Sequence, residues 1–255
     1  MPAWAKKIVF LAIVLALWQA WCWTGLVPAD VLPPPGRVAR ALVRGIADKG
    51  YLEAFLVSAR RMAVGYGASI LLGIALGTIL AWFRTLDDMV GSFLVALQSL
   101  PSVCWYPLAL LWFGAGEGAI LFVIILGAVL SITIATSAGI RQVPPLLVSA
   151  AHTMGAHGLR LHLHVTLPAA FPSILGGMKL GWAFAWRALM AGELLYQIAG
   201  ATGLGTHLQA GHQAKDMAQV LSVMVLIVAL GMAVDLALFG VLERRIRERW
   251  GLTKA

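Results

Sequence analysis

Four ionisable side chains stand inside long apolar stretches: Lys179, Arg187, Glu193 and Asp235. A charge in such surroundings is costly, so each marks a functional position by default. Arg187 follows Trp182 and Trp186 near the centre of its stretch, too far from either end to snorkel to water. It either meets an anion passing along the chain or is held by an internal ion pair or carbonyl contact. Glu193, six residues on, has a poor same-face spacing to serve as its intrahelical partner. Lys179 and Asp235 lie at similar depth, each about 10 Å from the same end of their stretches at about 1.5 Å per residue. They are expected to form a structural pair; the alternative is that Lys179 snorkels.

Other residues with chemical potential form no constellation. His152, His157, His162 and His164 are separated by fives and a two, which does not set ligands on one helical face, and no acidic ligand accompanies them. Solvated loop residues are expected there. Cys22 and Cys104 have no paired spacing, which leaves a disulfide or metal knuckle nothing to build on. A Gly-x4-Gly-Lys-Ser/Thr phosphate loop is absent, so ATP hydrolysis is not expected of this chain. No catalytic or metal-ligating set is expected.

The elements that must position these residues follow from composition. The 255 residues are 60% hydrophobic and 12% charged, with mean hydropathy +0.87. That is too much apolar surface for one soluble core, and it places the chain among membrane proteins. A helix crossing the hydrocarbon layer needs about 20 mostly apolar residues. Six such windows occur, at about 8–26, 61–83, 91–113, 119–139, 173–197 and 218–242, within one domain over 1–255. The first follows Lys6 and carries Trp18, Trp21 and Trp23 toward its far end, with no small-residue cleavage site, so an uncleaved anchor is expected. The net charge of +8 is spread beside the windows and not gathered in one basic domain, which fits a membrane partner and not nucleic acid.

Six spans put both termini on one side, and the tail arginines Arg244, Arg245, Arg247 and Arg249 argue that this side is cytoplasmic. Residues 37–59 alternate apolar and basic positions as a helix along the external interface would, after the Leu32-Pro33-Pro34-Pro35 run. Small residues at Gly65, Ser69, Gly73 and Gly77, and at Gly177, Gly181 and Ala185, mark faces for close helix packing. Pro101 and Pro107 remove two backbone donors from the third span, and the freed carbonyls must be buried or face water. Gln98, Ser102 and Tyr106 are therefore candidate pathway residues, together with Trp182, Trp186, Arg187 and Glu193.

Between the fourth and fifth windows lie residues 140–172, more chain than is needed to join neighbouring helices. The segment reads Ser149-Ala150-Ala151-His152-Thr153-Met154-Gly155, nine further residues, then Val165-Thr166-Leu167-Pro168. Small residues at Ala150, Ala151, Gly155 and Ala156 would let a short helix approach another protein closely. Gly155 would permit a sharp turn, and Pro168 would stop the second helical piece.

At these residues the chain resembles the cytoplasmic loop of binding-protein-dependent ABC import permeases, whose pattern is Glu-Ala-Ala, three residues, Gly, nine residues, Ile, one residue, Leu-Pro. Ser149 stands where that family has Glu, and Val165 replaces Ile. Leu32-Pro33-Pro34-Pro35, Leu100-Pro101 through Tyr106-Pro107-Leu108 to Trp112-Phe113-Gly114, Gly116-Glu117 and Gly203-Leu204-Gly205 extend the resemblance over nearly the whole chain, toward the nitrate, sulfonate and taurine type.

The resemblance implies an all-α, type I importer-like permease of the inner membrane, forming the pathway as a homodimer in lipid. It implies two ATPase subunits, which bind the ATP and Mg, docked on a coupling loop that includes Ser149, Ala150, Ala151, Thr153, Met154, Gly155, Ala156, Arg160, Leu167 and Pro168. An external solute-binding protein would deliver a small anion such as nitrate or an alkyl sulfonate. An ion-coupled secondary transporter is the competing reading; it needs no ATPase dock, and the two halves show no inverted repeat. A metal-dependent membrane enzyme would need a ligand cluster that the sequence lacks.

Overall fold

The structure is a computed structural model that describes residues 3–48, 50–196 and 202–249. Each of the six apolar windows is helical: α1 (Ala3–Trp23), α3 (Gly50–Trp82), α4 (Arg84–Ser99) with α5 (Tyr106–Phe113), α6 (Glu117–Arg141), α9 (Leu167–Leu195) and α11 (Met217–Val234) leading into α12 (Gly240–Arg249). Between them lie α2 (Pro35–Ala47), α7 (Pro145–Thr153), α8 (Gly158–Leu161) and α10 (Leu204–Gln213). No strand occurs among the described residues. Gln197, the expected end of the fifth window, lies outside them.

Length and apolarity qualify Gly50–Trp82, Glu117–Arg141 and Met217–Ile246 as membrane spans, and the pair Arg84–Ser99 and Ser102–Phe113 as one broken span. Ile8–Trp23 is a shorter apolar helix. α9 has the length but carries Lys179, Arg187 and Glu193.

Two expectations need correction. The third window, 91–113, is not one helix. Pro101 has no N–H to give and holds Leu100 extended (φ −72°, ψ 125°), so α4 ends at Ser99. A 3₁₀ turn, Ser102–Trp105, then leads into α5, and the two arms are bent by 100°. The interfacial segment 37–59 is also divided. α2 starts at Pro35 in the first turn, where a missing N–H costs nothing, and ends at Asp48. Residues 50–59 instead begin the 33-residue α3, because Tyr51, Ala54, Ser58 and Met62 form one buried stripe at helical spacing.

The chain divides into two compact units, Met1–Ser58 with Glu193–Leu230, and Ala59–Gly192 with Gly231–Ala255. The second is built around α6, whose Ile120, Val123, Ile124, Ala128 and Ile132 are buried. Glycines bring two neighbours onto it. A Cβ at Gly73 of α3 would come within 2.7 Å of Ile132, and one at Gly77 within 2.6 Å of the Thr133 carbonyl oxygen. From α9, a Cβ at Gly177 would stand 3.0 Å from the Ser131 carbonyl and one at Gly181 3.1 Å from that of Ala128. These are backbone-close crossings that only a missing side chain allows.

In the first unit, the Tyr51 hydroxyl shares a 2.8 Å hydrogen bond with Ser222, and its ring fills the space above Gly45. The imidazole of His207 meets that ring edge-on at 5.5 Å. Asp216 caps α11 by accepting from the Ala218 N–H at 3.0 Å.

Candidate functional site

The segment 145–168 folds as a helix, a turn and a second helix. α7 opens with Pro145 in its first turn and closes at Met154. Gly155 follows in the left-handed region at φ +83°. Its N–H donates to the His152 carbonyl (2.9 Å), and the Ala156 N–H donates to that of Ala151 (2.9 Å). This pair of bonds is a Schellman stop, which requires positive φ at the residue after the cap and therefore favours glycine. Thr153 tightens the last turn by donating its hydroxyl to the Ser149 carbonyl at 3.0 Å.

The stop turns α7 away and leaves an outward face. Ser149, Ala150, Thr153, Gly155, Arg160 and Pro168 are exposed, Ala156 and Leu167 are half-buried, and Ala151 is buried beneath them. Met154 is 87% exposed and Leu159 is exposed beside it. Below, Ile140, Val143, Ala170 and Ile174 make an apolar base against which Val148 and Leu167 pack. His162 is buried on the edge of the Trp82 ring at 5.1 Å, and this burial lowers its pKa below the ordinary 6.5.

Pro168 does not stop the second helical piece. α8 runs through a π-helical turn, His162–Thr166, straight into α9, and Pro172 lies inside that helix. The Leu167 N–H reaches back to His162, one residue further than in an α-helix. The wider turn removes the usual clash between a proline ring and the carbonyl four residues earlier. The long connection 140–172 is consequently shorter than expected, and α9 begins inside it.

His152 and His157, separated by the stop, come together with their Nδ1 atoms 2.9 Å apart. No group of three or more metal-ligating side chains occurs among the described residues. The Lys179 Nζ lies 3.4 Å from Asp235 Oδ1 and 3.1 Å from Glu243 Oε1. Glu243 was missed by sequence reasoning because regular α-helical register turns it off the face of Asp235, and only the wider π turn Asp235–Phe239 brings the two to one side.

Of the seven pathway candidates, Gln98, Ser102 and Arg187 line one cavity of about 320 Å³ at the break between α4 and α5. The other four do not line it. Tyr106 is buried, with its hydroxyl donating to the Ala188 carbonyl at 2.9 Å. Trp182 and Trp186 stack at 5.9 Å, with Trp182 also edge-on to Tyr66. The Glu193 carboxyl is buried and accepts from the Ser58 hydroxyl at 2.9 and 2.8 Å and from the Gly205 N–H at 3.1 Å.

Another ion pair, buried at its arginine, carried only a weak sequence signal. Arg61 is buried in α3 and donates to Glu117 Oε1 through Nε (3.0 Å) and Nη2 (2.7 Å), while the exposed Arg60 reaches Oε2 at 3.1 Å. Two arginines opening one apolar window and a glutamate opening another were the only hint.

An all-helical apolar chain with a broken third span and an outward helix–turn–helix between α6 and α9 has the architecture of a type I ABC importer permease. Residues 69–248 match the family described as binding-protein-dependent transport system inner membrane component, and the chain belongs to that family. It is 31% identical to a putative ABC transporter permease protein of Methanocaldococcus jannaschii, over 90% of this chain and 86% of that one. It is 28% identical to the taurine transport system permease protein TauC of Escherichia coli (92% and 86% covered) and 26% to the nitrate import permease protein NrtB of Synechocystis (92% and 86%). Among solved structures, the MetNI methionine ABC transporter in an inward-facing conformation shares the fold, with TM-score 0.64 at 20% identity over 76% of this chain and 95% of that one.

Proposed function

We propose that this multi-pass permease works as a homodimer whose exposed 149–168 loops receive two separate ATPase subunits, and that it carries a small anion handed over by an external solute-binding protein. ATP and Mg are bound by the ATPase partner. The termini and the loop face the cytoplasm, in keeping with the basic tail. The observation that carries the reading is the Schellman stop at Gly155, which presents Ser149, Ala150, Thr153, Met154 and Arg160 on a rigid outward corner. Relatives named for taurine, nitrate and bicarbonate transport support an anionic cargo.

The test is co-purification with an ABC ATPase subunit and reconstitution with a solute-binding protein. Ligand-loaded binding protein should stimulate ATP hydrolysis, and Gly155→Val should abolish that stimulation while the permease still inserts. Uptake that persists without any ATPase and follows an ion gradient would instead establish a secondary transporter.

A further inference from the structure

The break in the third span opens a cavity of about 320 Å³, near the lower end of the roughly 300–1,000 Å³ typical of small-molecule sites. Its charge is of one sign: Arg187 lines it, and no carboxylate does. Among the described residues no acidic side chain is within ion-pair distance of Arg187.

The guanidinium is held at its inner end only. Nε donates to the Ala183 carbonyl at 3.0 Å, and the group lies over the Phe184 ring, 4.8 Å from its centre. Both contacts fix the plane of the fork without using the two terminal amino groups. That fork matches the paired oxygens of a planar or tetrahedral oxyanion.

Two polar side chains, Gln98 and Ser102, line the same cavity. Gln98 gives one amide hydrogen to Ser131 Oγ at 3.0 Å, which anchors the side chain, and its amide carries a second. The Ser102 hydroxyl has no protein partner among the described residues. Phe184 and Trp105 supply apolar wall beside Arg187, whose side chain is itself exposed.

We infer that this cavity is a binding site for one small oxyanion, with the Arg187 fork as its main ligand and Gln98 and Ser102 as supporting donors, so that the permease itself selects for cargo charge and oxygen geometry. The inference rests on the permease reading above and narrows its cargo to oxyanions.

The probes are methanesulfonate, nitrate and the neutral isostere dimethyl sulfone. They are titrated calorimetrically into the permease–ATPase complex in phosphatidylcholine nanodiscs, with no binding protein present. Saturable binding of both anions, mutual competition and no binding of dimethyl sulfone are expected. Arg187→Gln should weaken methanesulfonate at least about tenfold. Arg187→Lys, which keeps the charge but not the fork, should restore only part of the loss.

Absent anion binding in the wild type, equal binding of dimethyl sulfone, or an unchanged affinity in Arg187→Gln would each overturn the site. The wild-type comparison of charged and neutral isosteres stands even if Arg187→Gln does not fold. Loss of methanesulfonate binding as phosphatidylglycerol replaces phosphatidylcholine would assign the site to a lipid headgroup and overturn it as a cargo site. Stimulation of ATP hydrolysis by ligand-loaded binding protein, measured on the same preparation, separates the two claims. Stimulation without anion binding sinks the site and spares the permease reading, whereas anion binding without stimulation does the reverse.

Discussion

Replacing Ser58 or Glu193 tests how the start of α10 is held. Its N-cap is Gly203, which has no side chain with which to satisfy the first helical N–H groups. Two residues distant in sequence take that role: Ser58 Oγ accepts from the Leu204 N–H at 3.0 Å, and Glu193 Oε2 accepts from the Gly205 N–H at 3.1 Å. The Ser58 hydroxyl in turn donates to the Glu193 carboxyl. A Cβ at residue 203 would collide with that carboxyl, so the cap position must be glycine.

Ser58, Glu193, Leu204 and Gly205 are all buried, so water does not replace a lost partner. Each stranded polar group costs about 1–3 kcal/mol. Glu193→Ala strands the Ser58 hydroxyl and the Gly205 N–H, for roughly 2–6 kcal/mol. Ser58→Ala strands the Leu204 N–H and removes a donor from the carboxyl, for about 2–4 kcal/mol. The double variant should cost less than the sum, since the two share one bond. Amide hydrogen exchange at Leu204 and Gly205 in nanodiscs reads the effect directly, and a 2 kcal/mol loss accelerates exchange about 30-fold. Acceleration below about threefold in Glu193→Ala would refute the argument that these bonds hold the turn.

Gly73→Leu should block the approach of α3 to α6 and abolish stable expression, whereas Leu71→Ala, which alters an exposed side chain of the same helix, should not; detergent-solubilised yield and size-exclusion profile check this. Gly155→Ala should destabilise the loop by about 1–2 kcal/mol through its left-handed backbone, read as faster proteolysis between α7 and α8. Because His162 has a pKa depressed by burial, the unfolded chain binds its proton more readily. Loop stability should therefore be full above about pH 6.5 and fall as pH drops below it, and His162→Phe should flatten that dependence in hydrogen exchange. Arg61→Ala should leave Glu117 without its closest donor and cost about 1–3 kcal/mol in thermal stability, since Glu117 is part-exposed and keeps Arg60, and still more than Arg60→Ala, whose side chain is exposed.

How much was legible in the chain itself depends on the range of the interaction. Helices and apolar windows were legible because a helix bonds within itself and its apolarity is counted along the sequence. The loop was legible because Gly155 and the small residues around it act on their immediate neighbours. Local chemistry also misled where a neighbour's geometry changed its effect: Pro168 reads as a stop until the preceding π turn makes room for it. At Pro101 the lost backbone donor was legible, but not the break, the 100° bend or the cavity beside it.

Composition and motif spacing alone determined a helical membrane chain with a long loop between its fourth and fifth apolar windows. Only the tertiary structure decided which of the costly charges does what. It paired Lys179 with Glu243 as well as Asp235, turned Glu193 into the cap of a helix, and left Arg187 facing a cavity. The physical reason is that a buried charge is defined by the partners that replace its water, and those partners lie tens of residues away, on helices whose mutual register no local pattern records.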